Sequence, residues 1–228
     1  MIEITFYGHS CFSANIDGVN LLFDPFISSN PLAKNIDINS ISADYILISH
    51  GHEDHIADLE IIAKNTNAKI ISNYEIVNWV TEQFNITNCH PMNHGGNWQF
   101  DFGNVKYVNA VHSSVLPDGS NGGNPGGFVI TSKQGNFYYS GDTALHMDMK
   151  LIPLDTTIDF ALLPIGDNFT MGATDAIHAA KFVETKNIIG LHYDTFGFIE
   201  IDRNKTKNSF DKNNLQLHLL DVGNKINI

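Results

Sequence analysis

Apolar positions along this chain fall into two patterns, one alternating with polar residues and one continuous. Residues 2–7 (IEITFY), 11–16 (CFSANI) and 19–23 (VNLLF) read as short strands, and Asp17-Gly18 between the last two is a hairpin dipeptide. The opening is therefore predicted to be antiparallel. Residues 45–49 (YILIS) form a continuous apolar run of the buried-strand type. The segment after it, Asp54 to Lys64, places Ile56, Leu59, Ile62 and Ala63 at helical spacing. The same succession returns with AKIIS at 68–72 and a helix predicted over Tyr74 to Phe84, after which 98–102 and 105–111 have strand character.

The second half continues in kind. Strands are predicted at 127–132 and 136–140 around a turn at Gln134-Gly135, then at 158–164, 187–191 and 215–220, with a helix capped by Thr174 and running to Thr185. Strands in both halves followed by strand-helix alternation predict an α/β (α+β) domain spanning 1–228, with two sheets face to face and helices outside. Ser113 to Gly127 stands apart, with five glycines, two prolines and little that is apolar. Such a segment reads as a mobile surface loop, and its position directly after His112 makes it a candidate lid.

Composition narrows the classes. A chain of 228 residues that is 43% hydrophobic can bury a sizeable core. No apolar run is long enough for a membrane span and the N-terminus has no basic, apolar leader, so a soluble, cytoplasmic protein is expected. Cys11 and Cys89 show no CxxC spacing, which argues against a thiolate metal site or a disulfide framework. With 25 acidic against 13 basic residues and a formal charge of −12, a phosphate-tracking nucleic-acid surface is not expected. A small-molecule substrate is, and an anionic one stays open because a metal ion can supply positive charge locally. The apolar content permits a homo-oligomer without locating an interface.

The chemistry concentrates in ILISHGHEDH, residues 46–55, where an uncharged apolar run passes straight into three histidines and two acids. In extended backbone, residues two apart point the same way, so His50 and His52 can converge on one ion just past the strand. Asp54 and His55 fall at the start of the helix, where they can meet a second ion. A carboxylate at a helix N-terminus is also favourable on its own account. Concentrating so many ionisable groups beside a core is costly unless something binds them. Three further ligand-type residues directly follow apolar runs: His112 after YVNAV, Asp142 after FYYSG and His192 after NIIGL.

The motif HGHEDH, followed in order by AVHSS, SGDTA and GLHYDTF, resembles the metallo-β-lactamase superfamily of metal-dependent hydrolases. Within it the chain is most similar to small bacterial hydrolases related to ascorbate-6-phosphate lactonase, a likeness that extends to YGHSCF, FDPF and LPIGDNFTMG. The resemblance implies a four-layer αββα sandwich with a dinuclear site at one edge. His50, His52 and His112 would hold one ion, Asp54, His55 and His192 the other, and Asp142 would bridge them. Seven oxygen and nitrogen ligands without a thiolate suit two divalent ions, Zn²⁺ or Mn²⁺. Such ions, about 3.5–4 Å apart, would share a hydroxide nucleophile, which Asp54 would orient or relieve of its proton. The implied substrate is a small ester, lactone or phosphoester.

Around this set, His9 and Asp24 each follow an apolar strand and are expected to orient ligands. Asp167, Asn168 and Thr170 fall where the resemblance places an active-site loop, although an Asx turn before a helix explains them equally. His94 borders the pocket or faces water, His178 and His218 read as structural, and His90 and His146 receive no role. Three other functions compete with hydrolysis of a small substrate. A regulatory metal-binding module would keep the ligands without turnover. A diiron redox protein of this fold would carry HxExDH, with Glu in place of His52. A nuclease would need a basic surface.

Overall fold

Strands that are apolar on both faces need cover on both faces. The computed structural model, which describes residues 1–228, supplies that cover with two seven-stranded sheets packed face to face and helices on their outer sides. The first sheet draws on β1 (Glu3–Gly8), β2 (Cys11–Ile16), β3 (Val19–Phe23) and β4 (Tyr45–Leu47). After α1 (Glu53–Ile56) and α2 (Leu59–Thr66) come β5 (Lys69–Asn73), α3 (Tyr74–Phe84) and β6 (Cys89–Met92). The second sheet begins with β7 (Asn97–Gln99), β8 (Asn104–Asn109), β9 (Gly126–Thr131), β10 (Asn136–Tyr139) and β11 (Phe160–Pro164). Then follow α4 (Ala173–Phe182), β12 (Asn187–Leu191), α5 (Arg203–Asp211), β13 (Gln216–His218) and β14 (Lys225–Asn227), the last of which returns to pair with β1.

Side-chain alternation builds the layers. Leu21 and Phe23 of β3, Leu47 of β4, Phe160 and Leu162 of β11 and Ile189 of β12 all join the cluster between the sheets. Their neighbours Leu22 and Ile46 face α1 to α3, and Ala161, Leu163 and Ile188 face α4 and α5. Phe23 is central to the inner layer, stacked on Phe12 at 4.4 Å and edge-on to Tyr139 at 5.6 Å. Full burial of one such side chain is worth about 1.5–3 kcal/mol. The expected αββα sandwich is borne out.

Several local expectations change. The helix predicted over Asp54 to Lys64 is two helices, because the buried Asp58 carboxylate accepts from the Ile27 and Ser28 backbone N–H groups and the Ser28 hydroxyl, and ties the junction to that loop. Thr174 does not cap the next helix: α4 starts at Ala173 after Gly172, without a side-chain cap. Residues 89–92, 203–211 and 225–227, for which no element is predicted, form β6, α5 and β14.

β3, β4 and β5 run parallel, as do β10, β11 and β12, and β8 is turned the same way as β10 by two antiparallel pairings through β9. The C-terminal ends of β3, β4, β8, β10 and β12 consequently deliver Asp24, His50, His112, Asp142 and His192 to one rim of the sandwich.

Candidate metal centre

The candidate ligands gather at that rim, His50, His112, Asp142 and His192 just past strand ends, His52 before α1, and Asp54 and His55 in its first turn. Gly141, with φ of 61°, turns the chain out of β10, and a Cβ there would lie 2.5 Å from the Gly126 carbonyl oxygen, so only glycine presents Asp142 in this way. His50, His52 and His112 form one group whose ligand atoms lie within 4.8 Å of one another. Asp54, His55 and His192 form a second under the same limit, joined by His9. Asp142 stands between, with Oδ2 at 3.0 Å from His192 Nε2, 3.4 Å from His55 Nε2 and 3.7 Å from His112 Nε2.

Hydrogen bonds fix several of the rings. The Ser49 hydroxyl donates to Asp24 Oδ2 at 2.5 Å, so its lone pair accepts from His50 Nδ1–H at 3.0 Å. That leaves His50 Nε2 bare, facing His52 Nδ1 at 3.0 Å, a gap that holds either a proton or a metal ion. On its far side His52 Nε2 meets the Ser113 hydroxyl at 3.2 Å. His55 is held from behind by Asp24, whose Oδ2 accepts from Nδ1 at 2.7 Å. The pairing is the carboxylate–histidine arrangement that orients metal ligands. Asp24 itself is fully buried and also accepts from the Ser49 N–H at 2.8 Å and the Tyr139 hydroxyl at 2.5 Å.

The fit to cations shows in what is left over. His55 Nε2, Asp142 Oδ1 and His192 Nδ1 are buried polar atoms without a hydrogen-bond partner. Such atoms are rare because each costs about 1–3 kcal/mol. Of the three, His55 Nε2 lies 3.4 Å from the Asp142 carboxylate, where a bound ion would satisfy it.

Charge balance agrees. Burial pushes the imidazoles of His50, His52 and His112 below the ordinary histidine value, with neighbouring histidines adding to the effect, so the ring nitrogens stay neutral and able to ligate. Burial also opposes charge on His55, but the Asp142 and Asp24 carboxylates outweigh it and raise its pKa well above normal. Against the burial that would raise them, His192 and His55 hold Asp142, and His55 holds Asp54, below the usual carboxylate range. The buried carboxylates demand positive charge, which a metal ion provides without protonating its ligands.

Of the side chains expected around the ligands, His9 and Asp24 are brought in. His9 is buried, with Nε2 at 3.1 Å from Asp54 Oδ2 and Nδ1 at 3.0 Å from the Thr195 hydroxyl, and burial beside His192 lowers its pKa to about 4. Asp167 and Asn168 make no hydrogen bond to a ligand side chain: the Asp167 carboxylate accepts from the Asn168 N–H, both residues sit at left-handed φ, and the segment forms a local turn. Thr170 belongs to that turn. The loop after His112 is not loose. Leu116 is buried in the outer core, Gly51 N–H donates to Ser114 Oγ at 3.1 Å, Trp79 Nε1–H donates to Asp118 at 2.7 Å, and Asn73 Nδ2 donates to the Gly122 carbonyl at 2.7 Å.

Of the other histidines, His90 packs on Trp98 and Phe100, His94 meets the Pro125 carbonyl, His178 is exposed on α4 and His218 is half-buried in β13. His146 and His94 line a groove of about 670 Å³ over the outer face of the second sheet, which contains none of the clustered histidines. Ser49, Ser113, Tyr139 and Thr195 were not singled out in the sequence. Ser49 and Ser113 each directly adjoin a ligand histidine, the one signal that could have found them.

Comparison with known proteins agrees with this fold. Residues 3–192 match the model of the beta-lactamase superfamily domain. A metal-dependent hydrolase of Christiangramia forsetii is 56% identical over 229 residues, covering 100% of both chains. One from Methylacidiphilum infernorum is 51% identical over 97% of each. Among solved structures, a metallo hydrolase from the hyperthermophilic archaeon Ignicoccus hospitalis superposes with a TM-score of 0.88 at 31% identity, over 99% of this chain and 97% of that one.

Proposed function

The chain belongs to the beta-lactamase superfamily of metal-dependent hydrolases, and from that premise we propose that residues 1–228 act as one hydrolase domain holding two divalent cations, Zn²⁺ or Mn²⁺. His50, His52 and His112 would hold one ion, Asp54, His55 and His192 the other, with Asp142 shared. The observation that carries this reading is the division of the ligand atoms into two close groups with Asp142 within 3.7 Å of both. When bound, such ions polarise a carbonyl or phosphoryl oxygen and make water nucleophilic near neutral pH.

The chain's own residues do the rest. Asp54, 30% exposed at its side chain, is the carboxylate of the cluster open to solvent, placed to orient an attacking water or take its proton. Asp24, Ser49 and Tyr139 keep the ligand rings from turning. Ser113 at the cleft wall links His52 to the loop that borders the opening. The strongest charges acting on the cluster are its own histidines and aspartates. Phe196 lies edge-on to His9 at 5.3 Å and Phe26 at 5.5 Å. Aromatic rings beside such a centre favour an uncharged ester or lactone with an apolar group over a phosphoester.

The test is a panel of lactones, carboxylic esters, thioesters and phosphodiesters with the Zn²⁺- or Mn²⁺-loaded protein. Turnover should favour acyl substrates, and Asp54→Asn and His112→Ala should each lose at least about 100-fold in kcat/KM. Unchanged turnover in both variants would sink the assignment. No activity above that of free metal would leave a regulatory metal-binding module as the better reading.

A further inference from the structure

We propose that His9 is a metal ligand through Nε2, an eighth protein group of the centre, which joins Asp54, His55 and His192 around the second ion. This inference rests on the dinuclear reading above and adds a ligand that the HxHxDH pattern does not contain.

The argument starts at the far end of the ring. Thr195 has one hydroxyl proton and two neighbours for it: the Tyr193 carbonyl at 3.3 Å and His9 Nδ1 at 3.0 Å. Tyr193 lies past the end of β12 and is buried, and the Thr195 hydroxyl is the hydrogen-bond donor that reaches its carbonyl. Turning the hydroxyl towards His9 would leave that buried carbonyl unpaired, at about 1–3 kcal/mol. The hydroxyl therefore donates to Tyr193 and accepts from His9 Nδ1–H. A neutral imidazole protonated at Nδ1 carries its lone pair on Nε2.

That bare nitrogen does not face a donor. It lies 3.1 Å from Asp54 Oδ2, so two acceptors meet across a gap that only positive charge makes favourable. His50 and His52 show the same relation on the other side of the site, where Ser49 sets the tautomer of His50 and a bare nitrogen faces a neighbouring ligand at 3.0 Å. His9 Nε2 falls within 4.8 Å of the ligand atoms of Asp54, His55 and His192. Its ring centroid is 4.0 Å from that of His192.

The backbone is committed to this placement. His9 has φ of 57°, a left-handed conformation that costs a non-glycine residue about 1 kcal/mol or more, and its carbonyl accepts from the His192 N–H at 2.8 Å. The turn between β1 and β2 is thereby locked to the loop that carries His192. Phe26 and Phe196 pack on the ring from outside and shield it from water.

The experiment uses the full chain with ¹⁵N-labelled histidine, stripped of metal and reloaded with Zn²⁺ alone. Ring ¹⁵N shifts distinguish a protonated, a bare and a metal-bound nitrogen. The expected result is a His9 ring with Nδ1 protonated and Nε2 metal-bound, and a His9→Ala variant that binds one Zn²⁺ as the wild type does and the other at least about 100-fold more weakly. Thr195→Val, which keeps the ring but removes its anchor, should weaken the same ion about 10-fold. A His9 found protonated at Nε2, donating to Asp54, would overturn the proposal, as would unchanged affinity for both ions in a folded His9→Ala. Should His9→Ala not fold, the ring shifts of the wild type decide alone. A wild type that takes up no Zn²⁺ would overturn the dinuclear reading itself, whereas two ions with His9 unligated would overturn only this inference.

Discussion

The backbone N–H of His192 donates to the carbonyl of His9 at 2.8 Å, and both residues sit in the left-handed region, with φ of 54° and 57°. One bond thus joins the rim of the first sheet to the rim of the second at the point where both side chains enter the site. Strain of this kind persists only where surrounding structure holds it, and it gathers at functional positions.

Left-handed backbone tolerates asparagine better than other non-glycine residues. His192→Asn should therefore fold with stability close to wild type, while His192→Ala should be about 1 kcal/mol less stable, both with impaired metal uptake. Urea unfolding of the metal-free proteins checks the difference, and equal midpoints would show that the backbone there is not strained.

Asp24 accepts from Ser49 N–H, Ser49 hydroxyl, Tyr139 hydroxyl and His55 Nδ1–H, all within the core. Asp24→Asn turns an NH₂ group on donors and should cost about 3–5 kcal/mol together with most of the bound metal. Tyr139→Phe removes one donor and should cost only about 1 kcal/mol. Thermal unfolding with metal analysis separates the two, and an Asp24→Asn protein that holds its full metal complement would refute the supporting role.

Leu116 anchors the glycine-rich loop in the outer core and packs against Gly51 between the two ligand histidines. Leu116→Ala should destabilise by about 2–4 kcal/mol and raise hydrogen exchange across 113–127. A loop that behaved as a free lid would show neither effect.

The metal-free protein should weaken in mild acid. In the folded state the His9 pKa is lowered from 6.5 to about 4, chiefly by burial. Between those values the unfolded chain binds a proton at this residue that the folded chain does not, so the contribution of His9 to stability is full above pH 6.5 and is lost as the pH drops towards 4. Removing this group with His9→Gln should flatten that part of the profile. Denaturation midpoints of the stripped proteins at pH 7, 6 and 5 measure it, and parallel profiles would contradict the prediction.

Much of the fold was legible because strand and helix periods are local. IDFALLP and NIIGL are apolar on both faces and became β11 and β12, and the helix predicted over Tyr74 to Phe84 matches α3. α5 was not legible, since only Thr206 and Phe210 of its nine residues are buried and no apolar stripe marks it. β6 was hidden by Pro91 and His90, and β14 is an edge strand with one half-buried isoleucine.

The sequence by itself determined the donor types and where they leave the strands: imidazole and carboxylate directly after apolar runs, with spacings that local backbone geometry converts into convergence. The tertiary structure alone decided which lone pairs remain free. Tyr139 reaches Asp24 across 115 residues and Thr195 reaches His9 across 186, and these bonds set the rings and tautomers. No local period encodes a contact of that kind, because it exists only where the two sheets pack their inner faces and bring their rims together.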